Sequence, residues 1–167
     1  MAVEIERKFL VVGDAWRSQA VSRERLTQGY LANTTLSSVR VRRGGEQAWI
    51  SVKSMTRQIA RLEFEYTIPL SDAQQLLEQL CERPLLDKVR HRVPVGEHVW
   101  EVDEFAADNA GLIVAEVELD AVDESFVMPD WAGAEVTHEE RYYNFRLGSR
   151  PYSAWSARER AGAGSQG

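Results

Sequence analysis

Cysteine is nearly missing: Cys81 is the only one in 167 residues. A single thiol excludes an internal disulfide and argues against a cysteine-built zinc site. No long apolar run and no apolar core of a secretory signal occur, so neither a membrane partner nor export is expected and a cytoplasmic protein is the default. A basic excess is also absent. There are 26 acidic against 20 basic residues, for a formal net charge of -6. That is the opposite of a general nucleic-acid binder, so no nucleic-acid partner is expected, although a local cationic pocket stays open. The chain lacks an internal repeat and a domain linker. It has no G-x-S-x-G context for a serine nucleophile.

What is present is a succession of strands. The chain opens MAVEIERKFLV, and side chains in a strand alternate with a period of two. Glu4, Glu6 and Lys8 therefore share one face, and Val3, Ile5, Arg7 and Phe9 the other. Further strands read over 24–32, 37–43, 48–54, 60–70, 85–95, 98–105 and 112–119, with turn signals at Asn33-Thr34-Thr35, Gly44-Gly45 and Gly96-Glu97. One helix interrupts them. Ser71 and Gln74 match a capping box, and Ala73, Leu76, Leu77, Leu80 and Cys81 give an apolar stripe. Cys81 belongs to that stripe and reads as buried filler. Thr137 and Glu140 match a second capping box, predicting a helix through EERYYNFRL. The fold class is α+β, mainly β, with one domain over 1–150 and a loosely ordered tail over 151–167.

The polar faces of these strands carry the chemistry. They present Glu4, Glu6 and Lys8; Arg40 and Arg42; Lys53; Arg61, Glu63 and Glu65; Lys88, Arg90 and Arg92; Glu101 and Asp103; Glu116 and Glu118. A half-solvated antiparallel sheet also alternates apolar and polar residues. Its solvent face, however, mixes Ser, Thr, Asn and Gln with the charges, whereas these positions are nearly all ionised and sorted by sign. The strand IVAEVEL sets its carboxylates in an otherwise apolar run. Closing about eight strands with the charged face inward leaves room for one small ligand. Carboxylate pairs suit Mg²⁺ or Mn²⁺, and converging Arg and Lys suit phosphate oxygens. A polyanion carrying its own metal ions fits such an interior. His91 alternates with Arg90 and Arg92 and is expected to face outward, and Trp49 and Trp100 to pack or line a rim.

EIERKF resembles the E-x-E-x-K signature of the CYTH superfamily, the triphosphate tunnel metalloenzymes. VRVRR, ISVK, RLEFEY, KVRHR, WEVDEF, VAEVEL and GAEVTHEERYYNFRL resemble the family's later blocks in order, over about residues 2–148. The resemblance implies an eight-stranded antiparallel closed tunnel with flanking helices. It implies metal binding by Glu4, Glu6, Glu116 and Glu118, with Asp103 and Glu101 supporting through water. It implies substrate binding by Lys8, Arg40, Arg42, Lys53, Arg61, Lys88 and Arg90, and a catalytic role for Lys8, Lys88, Glu4 and Glu6. The roles of Glu63, Glu65 and Arg92 stay open.

The implied activity is hydrolysis of a triphosphate dependent on Mg²⁺ or Mn²⁺, with inorganic tripolyphosphate the expected substrate. A class IV adenylyl cyclase or a thiamine triphosphatase would keep the same clamp. A non-catalytic module that binds a nucleotide or polyphosphate would show a broken metal set, and here all four expected carboxylates stand. A barrel for apolar ligands conflicts with the charged face. The oligomeric state is open, a homodimer among the options.

Overall fold

The structure, a computed structural model, describes residues 2–56 and 58–162. Nine strands form the frame: β1 (Val3–Val11), β2 (Ser22–Asn33), β3 (Ser37–Gly44), β4 (Gln47–Ser54), β5 (Ala60–Thr67), β6 (Leu86–Val95), β7 (His98–Phe105), β8 (Ile113–Glu118) and β9 (Ala132–Glu135). Helices are short: α1 (Trp16–Gln19), α2 (Leu70–Gln75), α3 (Asn144–Ser149) and α4 (Ala157–Arg160). None is long and apolar enough to cross a membrane among the described residues.

The strands run in the order β5-β4-β3-β2-β6-β7-β8-β1-β9, and β5 also pairs with β1. That last pairing closes an eight-stranded antiparallel barrel. β1 performs the closure by dividing one of its edges. Val3–Ile5 pair with β5, and Phe9 and Val11 pair with β9, while Glu6–Leu10 pair with β8 on the other edge. The β3–β4 and β6–β7 hairpins turn at Gly45 and Gly96, whose φ values of 55° and 61° favour glycine.

Because the charged faces point inward, the apolar faces point out and must be covered. Phe9, Trp16, Trp100, Val117 and Trp131 form one outer cluster, roofed by α1 and β9. Val41, Ala48, Ala73, Leu77 and Cys81 form another beneath α2. A third closes one end of the barrel, where Leu147 of α3, Tyr142 and Trp155 meet Leu86 and Phe105. Among the described residues nothing covers the outer face of β5 in this way, and Leu62, Phe64 and Tyr66 are exposed there.

Several sequence expectations change. Ser71 does not cap a helix, because α2 already begins at Leu70 behind Pro69 and then passes into one π turn over Leu76–Leu80. That π turn swings Leu80 out to solvent, while Ala73, Leu77 and Cys81 stay buried. Thr137 does not cap either. Its hydroxyl accepts from the Lys8 amide and donates to Glu135, and residues 140–142 form a single 3-10 turn before α3. His91 does face away from the tunnel but is buried, edge-on against Trp16 with ring centroids 4.8 Å apart. Within the stretch expected to be a loose tail, Trp155 is buried and α4 is capped by Ser156 and Glu159; residues 163–167 lie outside the described residues.

Candidate active site

A cavity of about 390 Å³ occupies the barrel interior. Strand order sorts its charges around the wall. β7, β8 and β1 are neighbours and bring in Glu101, Glu116, Glu118, Glu4 and Glu6. β3 and β4 are neighbours and bring in Arg40, Arg42 and Lys53, and β6 adds Arg90 and Arg92. Neutral Tyr30 of β2 lies between those two cationic groups.

The two sets meet in ion pairs. Lys53 Nζ lies 2.7 Å from Glu4, and Arg61 lies 3.7 Å from Glu4 and 3.3 Å from Glu6. Lys8 Nζ is 3.2 Å from Glu116 and donates to the Tyr142 carbonyl at 3.3 Å. Glu63 and Glu65, whose role the sequence leaves open, face the guanidinium groups of Arg40 and Arg42 at 3.4–3.7 Å. These contacts are long for charge-assisted bonds. Arg40 and Arg42 each keep a buried Nε–H without a hydrogen-bond partner among the described residues.

Like charges crowd on both walls. Burial, then Glu116 and Glu4, push the Glu6 carboxyl up to about 7. Burial with Glu4 and Glu6 also raises Glu118. Burial raises Glu101 as well, against the pull of Arg90. Glu116 differs: burial pushes it up, but Lys8 and Arg90 overcome that and hold it at about 2. On the cationic side, burial with Arg40 and Arg90 brings Arg42 down to about 10.

Two expected site residues do not line the cavity. Lys88 and Asp103 are buried beside it, Lys88 Nζ donating to Asp103 at 2.7 Å. Asp103 also accepts two bonds from Arg90, at 2.8 and 2.9 Å. Both Asp103 oxygens thus face cations, and Asp103 holds Lys88 and Arg90. Burial and the Arg90 charge bring Lys88 down to about 8 despite Asp103. Arg92, half-exposed at the rim, does line the cavity and lies 3.9 Å from Glu24. Trp100 is core, whereas Trp49 lies under the Arg42 guanidinium, 5.4 Å from ring centroid to Cζ.

Ser38, Ser51, Tyr30, Thr137 and Tyr143 also line the cavity and escape the sequence reading. Ser51 shares the period of Lys53, and Ser38 that of Arg40 and Arg42, so parity would have found both. Thr137 and Tyr143 sit outside regular strands and offered no such signal.

An enclosed wall of sorted charge, closed by β1 carrying Glu4, Glu6 and Lys8, is the setting for comparison with known proteins. The CYTH domain family matches residues 2–147. The chain belongs to the CYTH family. It is 43% identical over 152 residues to an inorganic triphosphatase of Acetivibrio thermocellus, across 91% of this chain and 97% of that relative. It is 34% identical over 149 residues to an inorganic triphosphatase of Nitrosomonas europaea, across 86% and 95%. The CYTH barrel is also similar to a crystal structure of an inorganic triphosphatase, with a TM-score of 0.64 and 31% identity over 89% of this chain and 95% of that one.

Proposed function

We propose that this CYTH protein hydrolyses inorganic tripolyphosphate to pyrophosphate and orthophosphate, with Mg²⁺ or Mn²⁺ as its metal. The observation that carries the reading is the sorted wall. Carboxylates are crowded on one side, and cations with unpartnered donors are crowded on the other. A triphosphate bound with a divalent cation relieves both at once. The two inorganic triphosphatases it resembles in sequence match over nearly their whole length, which supports a hydrolase over a cyclase.

The donor chemistry fits the metal. Carboxylate oxygens suit hard cations, and Mg²⁺ is commonly held by one or two carboxylates plus substrate phosphates. No preformed cage of three such groups exists among the described residues, in keeping with a site that phosphate oxygens complete. One or two of Glu4, Glu6, Glu116 and Glu118 would hold each ion, together with the phosphates. When bound, it supplies Lewis-acid stabilisation of charge on the phosphate oxygens.

The protein's own part is positioning and electrostatics, which is most of what phosphoryl transfer requires. Arg40, Arg42 and Lys53 bind phosphate from one wall, and Arg90 from another. Glu63 and Glu65 hold Arg40 and Arg42 in the free protein and yield them to the stronger anion. Asp103 keeps Arg90 aimed inward through its two bonds. Lys8, anchored by Glu116 and the Tyr142 carbonyl, brings its ammonium onto the acidic wall. Arg61 bridges Glu4 and Glu6 and orders the acidic wall.

The test is a panel of tripolyphosphate, ATP and thiamine triphosphate, each with Mg²⁺ or Mn²⁺, read as phosphate, pyrophosphate and cyclic AMP. Tripolyphosphate is expected to show the highest kcat/KM. Cyclic AMP formed from ATP with tripolyphosphate intact would overturn the reading and favour the cyclase.

A further inference from the structure

β2 and β6 pair as far as Gln28↔Leu86, where β6 begins, and past that point the Tyr30 carbonyl of β2 accepts from the Glu82 amide at 2.9 Å. A second chamber of about 70 Å³ sits at this end of the seam, lined by Gln28, Leu86, Pro84 and Gly148. Tyr30 and Phe145 line both this chamber and the catalytic cavity, so they form a shared wall. Arg83, Glu82 and Ser149 also line it.

Gln28 is fully buried, yet neither its amide nitrogen nor its amide oxygen has a hydrogen-bond partner among the described residues. A buried amide left unpaired is costly. Its ligand must both donate and accept, must be small, and must carry no charge, since no buried cation or carboxylate lines the chamber. Water meets all three conditions. The chamber accommodates about two waters at ~30 Å³ each.

From the chamber at the end of the seam, the orphaned amide and the lining shared with the catalytic cavity, we infer that this end of the β2–β6 seam is a lateral water passage into the catalytic cavity, with Gln28 as its polar lining. The inference rests on the hydrolase reading above. Hydrolysis consumes one water: its oxygen bonds the terminal phosphorus as the bridging P–O bond breaks. Pyrophosphate leaves with the bonding electron pair, and the two protons of the water stay on the orthophosphate. A triphosphate filling the main cavity excludes bulk water from that side, and the seam supplies water from the other.

Two variants test it. Gln28→Leu removes both amide groups, and Gly148→Leu places a side chain over the chamber, where the nearest atom to an added Cβ is the Pro84 carbonyl oxygen at 4.0 Å. In each, kcat on tripolyphosphate is expected to fall about tenfold with KM unchanged. The thermal shift produced by tripolyphosphate with Mg²⁺ should persist. A high-resolution crystal structure should show ordered water on the Gln28 amide, lost in Gln28→Leu. A dry chamber, or full kcat in both variants, overturns the passage and leaves the hydrolase reading standing. A wild-type protein that neither binds nor hydrolyses tripolyphosphate overturns the hydrolase reading itself.

Discussion

Asp103 joins two cations in the most deeply buried part of the site, with Lys88 and both nitrogen donors of Arg90 within 2.9 Å. Arg90 and Lys88 outweigh burial and hold its carboxyl far below the usual carboxylate range. Removing one partner of a buried pair leaves uncompensated charge, so Asp103→Ala is expected to lose about 3–5 kcal/mol. Urea unfolding at neutral pH measures this, and a loss below about 1 kcal/mol, the size of an exposed pair, would refute it. The sign with pH follows from linkage. A depressed acid stabilises the fold above its unfolded pKa, so this contribution is complete above about pH 4 and drains as pH falls further. The inward direction of Lys88 and Asp103 was legible in sequence from the period of two. Their depth was not, because parity fixes a face and says nothing about how far the neighbouring strands close over it.

At the scale of elements, the strands were readable and the helix ends were not. Eight strands announce themselves by alternation, since one face of each turns to the tunnel and the other to the outside of the barrel. β9 is four residues long and α1 is four, too short to show a period. Three segments match the capping-box pattern, at Ser71, Thr137 and Ser156, and only Ser156 forms it. The pattern is local, whereas Thr137 is claimed by Lys8 from the far end of the chain. The terminal segment gains its order the same way. Trp155 packs edge-on against Tyr142 and Tyr152, at 5.1 and 5.2 Å between ring centroids. Trp155→Ala is expected to cost about 3–5 kcal/mol, the range for a large buried aromatic. It should leave kcat at 25 °C nearly unchanged, because Trp155 does not line the cavity. Denaturation midpoints together with turnover decide this, and an unchanged midpoint would return the segment to the status of a loose tail.

The whole molecule is a barrel whose interior charges are only partly reconciled with one another, and its stability should report that. The proton on Glu6 is the simplest handle. With its carboxyl pushed up to about 7 by burial, Glu116 and Glu4, the folded state keeps a proton that the unfolded chain releases near pH 4.3. Stability changes with pH in proportion to protons bound in the unfolded state minus those in the folded state. That difference is negative between about pH 4.3 and 7, so the free protein should become less stable as pH rises through this window. Asp103 and Glu116, both depressed, act below it and do not mask the trend. A divalent cation with tripolyphosphate takes the place of the proton, so it should restore more stability at about pH 7.5 than at about pH 5. Melting curves at both pH values, with and without Mg²⁺ and tripolyphosphate, measure the difference. Glu6→Gln, neutral at every pH, should flatten the slope of the free protein. A Glu6→Gln protein with the wild-type slope would place the titrating group elsewhere, and equal ligand shifts at the two pH values would remove the link between that proton and the metal.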